Sequence, residues 1–227
     1  KDKRKPIATG LEYTLAKAMS DGLSFFHYES DSADSLASCC RLRNELADNT
    51  FSYTLGAGGV STGSYQVITI NFNRMYQRGY ELSEVVQRVQ KYLLAFRSIV
   101  GEYIEAGLLP TYSAGYISLD KQFGTIGING ALEAYEYMKA NGYQNTFKES
   151  LQQDLSIIKA LNKEALVKYG VRFNTEFVPA ENLGVKNAKW DKEDGLYVPR
   201  DCYNSYFYPV EDTNLTILDR LDAHAWD

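Results

Sequence analysis

The sequence predicts an α/β domain with mostly parallel strands, and three observations carry that reading. Runs rich in β-branched residues lie at 66–71, 123–129 and 171–178. Amphipathic helical patterns separate them, as strand–helix–strand units require. No Pro/Gly/Ser-rich or charged stretch is long enough to serve as a linker, and no internal repeat is visible, so the 227 residues read as one unit.

Taken in order, residues 7–19 predict a helix, with Leu11, Leu15, Ala18 and Met19 at helical spacing and Asp21-Gly22 ending it. Residues 24–37 run from aromatics into an acidic, Ser-rich surface loop, and Cys39-Cys40-Arg41 follows it. The glycine-rich turn 56–64 then feeds the strand at 66–71. A dinucleotide fingerprint or P-loop needs strand, loop and helix in that order. Here the loop precedes the strand and no Gly-Lys-Ser/Thr is present, so neither site is expected. Ser83 reads as the cap of the clearest helix, whose face is Val85, Val86, Val89, Leu93, Phe96, Val100 and Tyr103, with Gly107 past its end. After the strand 123–129, a helix over 130–140 closes at Asn141-Gly142. Thr146 and Glu149 form a capping-box pattern at the start of a helix that runs to Gly170. The strand 171–178 turns through Pro179-Ala180-Glu181-Asn182 into a helix extending to Lys189. The tail from Pro199 is loop-rich, with a short apolar periodicity at Leu215, Leu218 and Leu221.

Composition narrows the function classes. A net charge of −5 gives no overall polyanion-binding surface, so neither nucleic acid nor an anionic membrane is expected as a partner. No apolar run approaches a membrane span or follows the basic amino terminus as a signal sequence would, and three cysteines fit a reducing cytoplasm. The adjacent Cys39 and Cys40 are the one place that looks like chemistry. Neighbouring cysteines make a poor disulfide, and no His/Cys spacing around them suggests a metal cage. Two small buried hydrophobes is the plain alternative.

The ordered set of Cys40-Arg41, the glycine-rich turn feeding Val67-Ile68-Thr69-Ile70-Asn71 with Arg74 behind it, Gly124-Thr125-Ile126-Gly127-Ile128, Val178-Pro179-Ala180-Glu181-Asn182, Asn204-Ser205 and Pro209-Val210-Glu211 resembles the anaerobic (class III) ribonucleoside-triphosphate reductases over nearly the whole chain. The resemblance implies part of a ten-stranded α/β barrel of the glycyl radical enzyme type, with a finger loop near 36–42 whose Cys40 becomes the thiyl radical that opens the reaction. It also implies that Asn71 lies at the ribose and that Ala180, Glu181, Asn182 and Leu183 hold the substrate triphosphate. A strand-to-helix turn is chemically suited to that task, because it aims free backbone N–H groups and the positive helix end at an anion. A plain helix start at Pro179–Asn182 and a turn-capping role for Asn71 are the bland alternatives.

Further implications concern what accompanies the segment. The family's Arg-Val-x-Gly-Tyr glycyl radical motif, its four-cysteine zinc site and its ATP-binding cone are not found in these residues, and Cys202 has no partner at zinc spacing. The chain is therefore expected to be a piece of a longer catalytic subunit, inactive alone, with glycyl radical and zinc supplied by a missing C-terminal segment. Implied partners are a ribonucleoside triphosphate, the allosteric nucleotides ATP, dATP and other dNTPs, a radical SAM activating enzyme, formate or a dithiol protein as reductant, and a second copy in a homodimer or higher oligomer. Three rival readings stay open. One is a pyruvate formate-lyase-like acyl transferase, in which Cys39 is acylated and Cys40 relays the radical. Another is nucleophilic catalysis by Cys40 with His27 or His224 as base. The third is a non-catalytic nucleotide-binding module.

Overall fold

The computed structural model describes residues 10–23, 35–37, 43–45, 63–178, 181–209 and 212–223. In chain order the elements are α1 (Leu11–Ser20), β1 (Ser35–Ala37), β2 (Arg43–Glu45), β3 (Ser64–Asn71), α2 (Phe72–Gln77), α3 (Leu82–Glu105), α4 (Pro110–Ser113), β4 (Phe123–Asn129), α5 (Ala131–Ala140), α6 (Phe147–Tyr169), β5 (Phe173–Phe177), α7 (Glu181–Glu193) and α8 (Ile217–Ala223). β1 and β2 pair antiparallel, and β3, β4 and β5 form a parallel sheet in that order. The three expected strands are thus neighbours, each joined to the next by helices.

The central strand, β4, is buried along nearly its whole length, with Ile126 and Ile128 inaccessible to solvent. Against the sheet lie Leu82, Val86, Val89 and Leu93 of α3 and Leu151, Leu155 and Ile158 of α6, each spaced by three or four residues along one helix face. Two glycines let β4 sit this close to its neighbours. A Cβ on Gly124 would lie 2.9 Å from the Phe173 ring, and one on Gly127 would overlap the Thr69 side chain.

Helix ends follow the local chemistry with one exception. Thr146 and Glu149 form the complete capping box, each side chain bonding the other's backbone N–H. α3 does not begin at a Ser83 cap. It starts at Leu82 with Glu81 as N-cap and no side-chain capping bond, which places Leu82 in the core and Ser83 inside the first turn. Its far end closes as expected, with Gly107 and Leu108 N–H groups reaching the Ile104 and Tyr103 carbonyls. α7 runs four residues beyond the expected Lys189. On α1, Leu15 and Met19 face solvent, so these two residues of the helical spacing are not packed.

One buried carboxylate ties the helices beside the sheet. Asp154 on α6 accepts a short hydrogen bond from the Tyr76 hydroxyl on α2. Burial pushes its carboxyl from 3.8 up to about 6, against the opposing effect of that bond. Folding therefore favours the protonated form, and this stabilising contribution, full below the unfolded value of 3.8, is lost as pH rises through about 6. Asp154→Asn keeps an acceptor for Tyr76 and removes the buried charge. Denaturant titrations should show it gaining up to about 3 kcal/mol over the parent at about pH 8 and close to nothing at about pH 4; a loss of stability at the higher pH would contradict this account.

Candidate active site at the strand ends

Parallel pairing sets Asn71 and Asn129 level with each other at the carboxyl ends of β3 and β4. In open and closed α/β sheets this is the edge where ligands bind. Both asparagines are held by groups from outside the sheet. The inner face of α7 brings Asn187, Ala188 and Asp191 to the strand ends, and the loop at 197–205 threads beside them.

Asp191 is fully buried and is the hub. It accepts from Asn71 Nδ2 at 3.0 and 3.2 Å, Asn73 Nδ2 at 3.2 Å, Arg74 Nε at 2.6 Å and the Tyr203 hydroxyl at 2.8 Å. Arg74 extends to Asp194 at 2.9 Å, and its other terminal nitrogen is buried without a partner. Burial, and then the Asp191 carboxylate it bonds, push the Tyr203 hydroxyl up, so it stays a neutral donor. Asn73 completes the cluster, donating to Tyr203 Oη at 2.6 Å and to the Tyr197 carbonyl at 2.9 Å. Asn71 has a second task, since its Oδ1 accepts the Arg74 backbone N–H at 3.0 Å and so caps α2.

A second buried set surrounds Asn129. Its amide donates to Ser205 Oγ at 3.1 Å, and its carbonyl accepts from Asn187 Nδ2 at 2.9 Å. Next to it Glu133, fully buried in the first turn of α5, accepts from the Asn204 backbone N–H at 2.8 Å and from Arg200. Arg200 also reaches Glu136 at 2.6 Å. Burial raises the Glu133 carboxyl, while Arg200 and the Asn204 N–H oppose the shift. A cleft of about 440 Å³ lies apart from this edge, between α6 and β5, lined by Leu155, Lys159, Lys163, Phe173 and Phe177 among others.

The residues singled out in the sequence are distributed as follows. Asn71 is at the strand end, half-buried within the Asp191 cluster. Asn182 is exposed and Leu183 half-buried in the first turn of α7, with Glu181 as its first residue. Ala180, Cys39, Cys40 and Arg41 lie outside the described residues. Ala37 pairs with Arg43, so the two flanks of the cysteine-bearing segment 38–42 adjoin. Cys202 is exposed. Among the described residues no cluster of three metal-ligating side chains occurs, and no helix is long and apolar enough to cross a membrane. Sequence reading missed Asp191, Asn73, Glu133, Arg200 and Tyr203. The polar run Asn71-Phe72-Asn73-Arg74 directly after a buried strand was the available signal.

A three-stranded parallel sheet with polar side chains massed at its carboxyl ends, beside a helix and a long loop, defines an α/β protein with a candidate site at its strand ends. The chain belongs to the anaerobic ribonucleoside-triphosphate reductase family, whose model matches residues 6–226. That membership sets aside the acyl-transferase reading. Similar solved structures are the anaerobic ribonucleotide reductase from Thermotoga maritima with dATP bound in the specificity site, at 30% identity and a TM-score of 0.64 over 74% of this chain and 31% of that one, and the same enzyme with citrate in the active site, at 31% identity and a TM-score of 0.65 over 74% and 34%. A complex of that enzyme with dATP and CTP matches at 30% identity and a TM-score of 0.64, over 73% of this chain and 30% of that one. The chain thus spans about a third of the length of these structures. No curated protein matches.

The Arg200 clamp yields a direct test. With Arg200→Met, Glu133 loses its cation and keeps backbone N–H donors, and the expected loss is roughly 2–4 kcal/mol at neutral pH, moderated because the Arg200 side chain is 31% exposed. The penalty should shrink towards acid pH, where Glu133 takes up a proton. Equal losses at both pH values, measured by denaturant unfolding, would show that the ion pair is not the cause.

Proposed function

We propose that these residues form part of the catalytic barrel of an enzyme that reduces ribonucleoside triphosphates to 2′-deoxyribonucleoside triphosphates anaerobically, by glycyl and thiyl radical chemistry. The observation that carries the proposal is the family match across residues 6–226, joined to a parallel sheet whose carboxyl edge holds Asn71. In this reading Cys40 carries the thiyl radical that opens the reaction, and Asn71 meets the ribose. Ala180, Glu181, Asn182 and Leu183 hold the triphosphate at the start of α7, a 13-residue helix on which Asn182 is exposed.

The radical itself would reach Cys40 from a glycyl residue beyond these 227 positions, installed by a radical SAM activating enzyme. Formate or a dithiol protein would supply the electrons. Dimer or higher assembly, control by ATP, dATP and other dNTPs, and a cytoplasmic setting belong to the same proposal. The Thermotoga maritima enzyme has been seen with dATP in its specificity site and in complex with dATP and CTP, which supports nucleotides as ligands in this reading.

Cys40 gives the decisive experiment. In the complete activated reductase, Cys40→Ser should abolish deoxynucleotide formation while leaving the glycyl radical signal and nucleotide binding intact, and Cys39→Ser should retain turnover. Substantial turnover by the Cys40→Ser enzyme would overturn the assignment. Separately, a bound nucleoside triphosphate should place its phosphates against the backbone N–H groups of residues 180–183; phosphates found elsewhere would remove α7 from the substrate site.

A further inference from the structure

Asn71 is fixed by two groups that each work in one direction only. A carboxylate can only accept and a backbone N–H can only donate. Asp191, on one side, takes the Asn71 Nδ2 donors at 3.0 and 3.2 Å, and the Arg74 N–H, on the other, takes Oδ1 at 3.0 Å. Rotating the amide by half a turn would set carbonyl oxygen against carboxylate and NH₂ against N–H. Asp191 cannot swing away to relieve this, because Asn73, Arg74 and Tyr203 also hold it and it has no solvent exposure.

Because both oxygens of Asp191 lie on one side of the nitrogen, what Asn71 has left is the second Nδ2 hydrogen and one lone pair on Oδ1. Gly130 lies beside that oxygen, at φ 75°, and a Cβ there would come within 3.6 Å of it. A side chain there would also meet the Tyr203 ring at 3.1 Å, so glycine keeps a further group out of contact with that oxygen.

We propose that Asp191 is a positioning residue that locks the Asn71 amide in one orientation, so that its Oδ1 stays on the side where it can accept a hydrogen bond from a ribose hydroxyl. The inference rests on the reading that places Asn71 at the ribose and adds the direction of the bond and the group that enforces it. Asp191 touches no substrate. It acts through Asn71, and a misdirected amide would turn an N–H towards the hydroxyl hydrogen that should be received.

The test uses the complete activated reductase with a ribonucleoside triphosphate. Asp191→Asn should lower kcat by about 10- to 100-fold with KM within about threefold, because the triphosphate supplies most of the binding while ribose orientation acts on the chemical step. The exchanged pair, Asn71→Asp with Asp191→Asn, again sets an amide against a carboxylate and again turns an acceptor outward. It should recover at least about tenfold of the lost kcat, and it serves as the test if the single variant does not fold. A folded Asp191→Asn enzyme with parental kcat, a loss confined to KM, or an exchanged pair that folds without recovery would each overturn the positioning role. Asn71→Ala with parental kcat and KM would instead remove Asn71 from the ribose, which is a failure of the underlying assignment and is told apart by that variant alone.

Discussion

A carboxylate with no contact with water has to be matched by donors, and at the strand ends that requirement organises everything around it. Asp191 draws in the end of β3, the start of α2 and the loop that carries Tyr203. Charge-assisted bonds of this kind each contribute roughly 1.5–3 kcal/mol net, and leaving a buried charge unmatched costs about 3–5 kcal/mol. The cluster therefore forms completely or not at all, which makes α7 and the strand ends one unit although more than a hundred residues of sequence separate them.

Glu133 applies the same rule with less redundancy. It has one cation and backbone N–H donors but no side-chain amide or hydroxyl, and its second oxygen is buried without a partner. Each carboxylate pairs with one guanidinium shared with a second acid, Arg74 with Asp194 and Arg200 with Glu136, but Asp191 has two amides and a phenol besides. Electrostatics at this edge thus come from local pairs, and a net charge of −5 for the whole chain says little about them.

Legibility in the sequence followed the range of the physics involved. The strands at 66–71 and 123–129, the capping box at Thr146 and the end of α3 at Gly107 depend on neighbours a few residues away, and all were readable. The start of α3 was misplaced because burial of Leu82 outweighed the local preference of Ser83. Asp191 opens the charged run Asp191-Lys192-Glu193-Asp194, where nothing local separates a buried acid from exposed ones. Only the packing of α7 on the strand ends makes that distinction. The cysteine pair stood out by composition alone, and its segment lies outside the described residues.

The two glycines of β4 have a consequence for the geometry of the site. Gly127 makes room for the Thr69 side chain and Gly124 for Tyr65 and Phe173, so neighbouring strands engage β4 as a key engages its wards. Sliding β3 along by one residue would drive Thr69 against the branched side chain of Ile126 or Ile128 and turn its core face outward. Two residues without side chains therefore act as the gauge block of the sheet, and the spacing between Asn71 and Asn129 is inherited from them.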